Sequence, residues 1–250
     1  VLLHDIVHDE APAGGGWRSV FPLEGEGGVS GMLEVVADEG MRAREASLVT
    51  GLLRIVCNHV AMLDYGERDT LTGLLNRKTF ETTFGKLLAR PGRLARDPNS
   101  TDPSWLAVID IDHFKSVNDN FGHLFGDEVL LLVARLIRST FRGADRLFRF
   151  GGEEFVVVLD RAASAGAEAA FDRLRVAIQD YAFPQVGNVT VSIGYTMIRP
   201  NDVPASCVER ADEALYHAKR NGRNQSHNYE RLLECGKLKV KETRSEVELF

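Results

Sequence analysis

Phe150-Gly151-Gly152-Glu153-Glu154-Phe155 is the stretch whose reading decides the fold. Apolar, strand-forming residues flank it: Leu147, Phe148 and Phe150 before, Phe155 through Leu159 after. Two glycines between such runs predict a tight β-hairpin, because two-residue hairpin turns need positive φ and glycine adopts it without strain. Two adjacent carboxylates seldom follow such a turn. With no side chains at Gly151 and Gly152, a phosphate or base can lie directly on the backbone. Glu153 and Glu154 are then expected on opposite faces of the outgoing strand, placed to hold a cation. The plain alternative is a Gly-Gly turn carrying surface glutamates. The surrounding chain decides between them.

Outward from the hairpin, strands and helices alternate. Trp105–Ile111 reads as a continuous apolar strand ending in acids, and Val189–Met197 as another strand. Thr79–Ala89, Gly126–Phe141, Ala165–Gln179 and Ala205–Arg220 carry helical periodicity, and Arg90–Ser104 is a Pro- and Gly-bearing loop. That order predicts an α/β fold, an α+β sandwich with one central sheet covered by helices. Near residue 66 the character changes. Before it, Ser19–Leu23 and Gly31–Val36 read as two short strands around the Gly-rich loop 24–30. A helical stripe follows through Leu48, Leu52, Ile55, Val56, His59, Met62 and Leu63, suited either to a partner helix or to its own domain. After Asn224 the charges show no period and predict a peripheral extension.

The 250 residues are 44% hydrophobic and 26% charged, values of a globular protein. A net charge of −6 excludes a general DNA or RNA binder, which carries a basic excess. Cys57, Cys207 and Cys235 form neither a disulfide framework nor a metal spacing, as expected of free thiols in the cytoplasm. No apolar run approaches the roughly 18 residues of a membrane span, and no signal peptide is visible. The chain opens on Val rather than Met, which is compatible with a fragment.

Asp110 and Asp112 share one face at the end of the first long strand. Pairing that strand with the hairpin would bring Asp110, Glu153 and Glu154 together, and three carboxylates repel strongly unless a divalent cation offsets them. Oxygen-only donors favour Mg²⁺ or Mn²⁺. Downstream, Lys115 offers a cation for phosphate oxygens. Asn118 and Asp127 could read a base edge, a carboxylate suiting the N1–H and N2–H₂ donors of guanine. Helix capping is the structural alternative for both, and a cation at Lys219 is ordinary at a helix C-terminus.

These residues resemble the GGDEF family of diguanylate cyclases, in its GGEEF form, from about Asp69 to Asn224. The matching blocks are Asp69-Thr70-Leu71-Thr72-Gly73-Leu74-Leu75-Asn76-Arg77, Asp110 through Lys115, Asn118-Asp119, Phe121-Gly122-His123, Gly126-Asp127, Gly151–Phe155, Ser192-Ile193-Gly194 and Ala211 through Asn224. The resemblance implies a mainly antiparallel, palm-like nucleotidyl cyclase fold preceded by a helical stalk. It divides the chain into a GAF-like sensor remnant (1–45), a stalk (46–68), the cyclase domain (69–226) and an extension (227–250).

It also implies condensation of two GTP into cyclic di-GMP and two pyrophosphates by a homodimer. Asp110, the Ile111 carbonyl, Glu153 and Glu154 would hold two Mg²⁺ (or Mn²⁺), with Asp110, Glu153 and Glu154 catalytic. Phe114, Lys115, Asn118, His123, Asp127, Gly151, Gly152, Lys219 and Arg223 would bind substrate. Arg142 and Asp145 match the family's RxxD inhibitory site for the product, with Arg173 as a second contact. A non-catalytic cyclic di-GMP receptor is the competing reading, disfavoured because the hairpin motif is undamaged.

Overall fold

A computed structural model, describing residues 9–10, 17–25, 28–89 and 102–239, divides the chain into two units, Val1–Glu67 and Arg68–Phe250. In the first, β1 (Asp9–Glu10), β2 (Trp17–Gly25) and β3 (Gly28–Ala37) form an antiparallel sheet in that order. Helix α1 (Ala43–Glu67) packs on β2. Strands β2 and β3 extend beyond the expected limits, pairing from Trp17 with Ala37 to Gly25 with Gly28. Phe21, Ser19 and Ala46 are buried. The apolar stripe of α1 is not: Leu48, Leu52, Ile55, Val56 and Met62 are each more than half exposed. The helix begins where the Glu45 carboxylate accepts from the Arg42 amide, satisfying one donor at its N-terminus.

The second unit contains β4 (Leu75–Asn76), α2 (Arg77–Ala89), β5 (Trp105–Ile111), α3 (Phe114–Phe121), α4 (His123–Thr140), β6 (Arg146–Gly151) and β7 (Glu154–Leu159). It continues through α5 (Ser164–Gln179), β8 (Val191–Met197), α6 (Pro204–Arg220), β9 (Ser226–Asn228) and α7 (Tyr229–Glu234). The sheet order is β4-β6-β7-β5-β8-β9. Its four inner strands pair antiparallel, and the edge strands β4 and β9 join parallel. The expected mainly antiparallel sheet with helices on both faces is what forms. Most of the expected loop, residues 90–101, lies outside the described residues.

Every residue of β5 is buried, which is why its sequence is apolar without alternation. Period-two geometry sorts it nonetheless. Ala107, Ile109 and Ile111 enter one core with residues of α3, α4 and α5, including Val129, Ile137 and Phe171. Leu106 and Val108 enter the other core with Phe80, Phe84, Ala211 and Leu215 from α2 and α6. Asp110 has the parity of Leu106 and Val108, so it belongs to the α6 face.

Two expectations are corrected. The described residues after Asn224, up to 239, are not peripheral: β9 pairs with β8 (Ile193 with Ser226, Tyr195 with Asn228). Tyr229 and Leu232 of α7 are buried with Ala214 of α6. A three-residue edge strand is too short to show alternation and takes its hydrogen bonds from a partner more than thirty residues away in sequence. Helix α4 also starts earlier than expected, at His123, because Gly122 at φ 89° ends α3 and the chain re-enters a helix at once.

Gly194 of β8 faces α6, where a methyl would overlap the Ala211 carbonyl and the Leu215 amide. These are backbone atoms of a packed helix and cannot swing aside. Gly194→Ala is therefore expected to lower stability by about 3 kcal/mol through overpacking, read as a shift in the denaturant midpoint. A native midpoint would mean that α6 can lift from the sheet.

Candidate functional site

The hairpin differs from the expected one by a residue. Gly151 pairs with Glu154, so the two-residue turn is Gly152-Glu153, and Phe150 bulges where the register shifts between Arg149 and Gly151. Gly151 (φ 146°) and Gly152 (φ 51°) both use backbone space that L side chains avoid. Glu153 therefore sits in the turn and only Glu154 on the strand, so the two do not occupy opposite strand faces.

Asp110 and Glu154 are direct partners across β5 and β7, and residues so paired share a face. The Ile111 amide approaches the Glu153 carbonyl at 3.4 Å, which brings Asp110, Ile111, Glu153 and Glu154 into one neighbourhood. Asp110 is 6% exposed, and Lys219 Nζ lies 2.7 Å from its Oδ2. Burial pushes the Asp110 carboxyl above its ordinary value and the charges of Glu153 and Glu154 push the same way, while the Lys219 hydrogen bond and charge oppose them.

Sequence reasoning gave no role to Asp212, the second residue of the motif block in α6. Its carboxyl is pushed up to about 6, by burial first and then by Glu154, with Lys219 opposing and Asp110 adding. Asp212 is nonetheless an exposed residue, so solvent screens much of that shift.

The donor chemistry fits a hard divalent cation: oxygen ligands only, with clustered negative charge. As they stand, no three His, Cys, Asp or Glu side chains among the described residues converge tightly enough to hold one. Asp112 does not add to the donors. Its carboxylate accepts from Ser192 Oγ, Thr190 Oγ1 and the Asn224 amide.

Helices α3 and α4 pack on each other, and there Asn118 lies against Gly126, the residue before Asp127. Gly126 makes that possible, because a methyl there would overlap Asn118 Oδ1 and lie 3.3 Å from Phe114 Cζ. Phe114 is buried, while Lys115, His123, Asp127 and Arg223 are exposed. Arg142 is exposed, and its backbone amide, not its guanidinium, donates to Asp145 Oδ2. Asp145 also accepts from the Asp160 amide, so its carboxylate holds the turn before β6. Arg173 reaches the neighbouring Thr140 carbonyl. Neither of two cavities, of about 620 and 280 Å³, is lined by any residue assigned from the sequence.

A brace missed in the sequence holds the hairpin. Arg149 donates to both carboxylate oxygens of Asp69 (3.0 and 3.2 Å) and, through Nε and a terminal nitrogen, to the Gly152 carbonyl. Asp69 also accepts from the Thr72 amide and hydroxyl. Burial alone would raise the Asp69 carboxyl, but the hydrogen bonds from Thr72 and Arg149 outweigh it and hold the carboxyl below its ordinary value. Charged groups spaced eighty residues apart give no local sequence pattern, which is why the pair was not visible.

A depressed folded value means that the stabilisation is complete above about pH 4 and is lost as the pH falls through the folded value. Arg149→Ala is expected to cost about 2 kcal/mol at pH 7 and to flatten the acid limb below pH 4, measured by denaturant unfolding across pH. Parallel acid limbs in the two proteins would show that the brace contributes nothing. Gly126→Ala is expected to leave the fold intact, displace Asn118 and raise the KM for a purine nucleotide about tenfold, the worth of roughly one hydrogen bond. An unchanged KM would remove Asn118 from base reading.

The family model for the diguanylate cyclase GGDEF domain matches residues 67–225, more than half of the chain. Diguanylate cyclase DgcP of Pseudomonas aeruginosa is 43% identical over 160 residues, 63% of this chain and 23% of that protein. Diguanylate cyclase A of Treponema denticola is 35% identical over 181 residues, 71% of this chain and 48% of that protein. The chain thus spans about a quarter to a half of these curated relatives. Among solved structures, the coiled coil and GGDEF domain of DgcB from Caulobacter crescentus, in complex with c-di-GMP, superposes with a TM-score of 0.66 at 31% identity. That match covers 74% of this chain and 97% of the other.

Proposed function

The chain belongs to the diguanylate cyclase GGDEF-domain family, and on that footing we propose that it condenses two molecules of GTP into cyclic di-GMP, releasing two pyrophosphates. The observation that carries this reading is the pairing of Asp110 with Glu154 on adjacent strands, next to the Gly152-Glu153 turn. A buried carboxylate, two neighbouring glutamates and a backbone without side chains suit a triphosphate bearing a divalent cation. Asp110, the Ile111 carbonyl, Glu153 and Glu154 would hold Mg²⁺ (or Mn²⁺), two ions per site. When bound, the ions polarise the α-phosphate and lower the pKa of the attacking 3′-hydroxyl.

The remaining work falls to this chain's own side chains. Lys219 neutralises Asp110 before substrate arrives, and a flexible ammonium can exchange that carboxylate for a phosphate oxygen by rotation of its stem. Lys115 and Arg223 take further oxygens of the β- and γ-phosphates. Asp127 accepts from guanine N1–H and N2–H₂, Asn118 supplies an amide to the same base, and Phe114 and His123 bound it. An adenine, with an acceptor at N1, would face the Asp127 carboxylate with a repulsive contact.

One domain holds one GTP, so cyclisation needs two domains facing each other, each 3′-hydroxyl opposite the other's α-phosphate. The exposed stripe of α1 supports a homodimer. Arg142, Asp145 and Arg173 form the product-inhibition site, with Asp145 also a turn anchor. We read the strands before α1 as the end of a GAF-like sensor and the cytoplasm, where GTP is available, as the working compartment.

Incubation of the chain with GTP and Mg²⁺, after phosphodiesterase treatment to strip bound cyclic di-GMP, is expected to yield cyclic di-GMP by mass spectrometry. Chelation should stop it, and Glu154→Ala should lower turnover on the order of 10²-fold while preserving the fold. Added cyclic di-GMP should inhibit, less so in Arg142→Ala. A folded, ligand-free dimer that makes no product, or a near-native Glu154→Ala, would overturn the assignment.

A further inference from the structure

Asp112 is 6% exposed, and each of its carboxylate oxygens is committed. Oδ1 accepts from Ser192 Oγ at 2.7 Å, and Oδ2 accepts from Thr190 Oγ1 at 2.7 Å and from the Asn224 amide at 3.0 Å. Its own amide donates to the Thr190 carbonyl at 2.9 Å. Two of these donors lead into β8. The third belongs to the turn after α6, more than a hundred residues along the chain.

That turn is unusual. Gly222 (φ 110°), Arg223 (φ 61°) and Asn224 (φ 46°) are three consecutive residues at positive φ, two of them not glycine. Non-glycine residues visit this region singly, because Cβ crowds the following carbonyl. A pair of them persists only where the surroundings over-determine the backbone. Here the Arg223 amide donates to the Ala218 carbonyl, and the Ile193 amide donates to the Gln225 carbonyl. The Asn224 side chain accepts from Arg175 and donates to Gln179. Asp112 supplies the only charged acceptor among these contacts to the turn's backbone, buried where a charge-assisted bond is strongest.

We propose that Asp112 is a positioning residue for the triphosphate: its carboxylate holds the 222–224 turn in the left-handed conformation that aims Arg223 at the phosphates. The proposal rests on the phosphate role given to Arg223 above. Asp112 stands two residues from Asp110 on one continuous segment. The carboxylate that sits at the reacting phosphate and the one that sets the Arg223 backbone therefore share a rigid reference, and the distance between cation and phosphate site is set by strand geometry. Without Asp112 the Asn224 amide and two hydroxyls lose their acceptor, and the turn can relax to negative φ, carrying Arg223 away.

The test uses the full chain with Asp112→Ala, Asp112→Asn, Arg223→Ala and the double variant Asp112→Ala/Arg223→Ala, each checked for folding by thermal melt. KM and kcat for GTP are measured beside the inhibition constant of GMP, which lacks the β- and γ-phosphates. Asp112→Ala is expected to raise KM about tenfold with kcat changed less than about twofold and GMP inhibition unmoved, and to add nothing in the Arg223→Ala background. Asp112→Asn keeps one acceptor for the Asn224 amide and should recover most of the loss. It carries the same comparison, with a smaller KM shift, if the alanine variant fails to fold. Equal effects on GTP and GMP, or full additivity with Arg223→Ala, would reduce Asp112 to a general structural role and overturn the proposal while leaving Arg223 in place. An unchanged KM in Arg223→Ala would remove the phosphate reading and the proposal with it.

Discussion

Burial of β5 on both faces is the constraint from which the domain is laid out. Its seven residues lie between β7 and β8 with no exposed position, so each must be apolar or matched by a partner. The two-residue period then assigns alternate side chains to opposite cores. Leu106 and Val108 meet α6, and Asp110 follows them to that face at the point where the strand ends. A carboxylate there is buried at the rim of the core. It is buried enough for its carboxyl to be raised, yet open enough to be reached by Lys219 from α6 and by Glu154 from β7.

Electrostatics at this corner is arranged in opposition. Asp110, Glu153, Glu154 and Asp212 crowd negative charge around the hairpin, and Lys219 offsets part of it. A cluster of this kind does not stabilise the fold, and the two hydrophobic cores beneath it carry its cost. Arg149 prevents that repulsion from loosening the turn. By gripping the Gly152 carbonyl and both oxygens of Asp69 at once, it ties the hairpin to the first residues of the domain. The same Asp69 is held by Thr72, whose carbonyl accepts from Arg138 of α4, so the brace runs from hairpin to entry segment to helix.

Close backbone approach accounts for the glycines that matter. Gly194 allows α6 to lie on β8, and thereby brings Lys219 over Asp110. Gly126 allows Asn118 to lie against the backbone of α4 one residue before Asp127. In both places the glycine serves the site by what it lacks, and a sequence motif containing it is a record of tight packing elsewhere.

What the chain's sequence determined by itself is local: the apolar run of β5, the helical stripes, the hairpin and the carboxylates at its turn. Each follows from period, propensity and turn chemistry within a dozen residues. Residue parity was also legible for Asp110 and Asp112, while the strand register set Glu154 directly opposite Asp110. Only the tertiary structure decided the rest. It moved the turn from Gly151-Gly152 to Gly152-Glu153, because cross-strand register and a bulge at Phe150 set which residues close the loop. It made Asp112, read from the sequence as sharing a strand face with Asp110, an anchor, because Ser192, Thr190 and Asn224 reach it from far along the chain. It made a strand of Ser226–Asn228, because an edge strand takes its hydrogen bonds from its neighbour. Contacts of that range depend on the whole chain's path, and no window of sequence contains them.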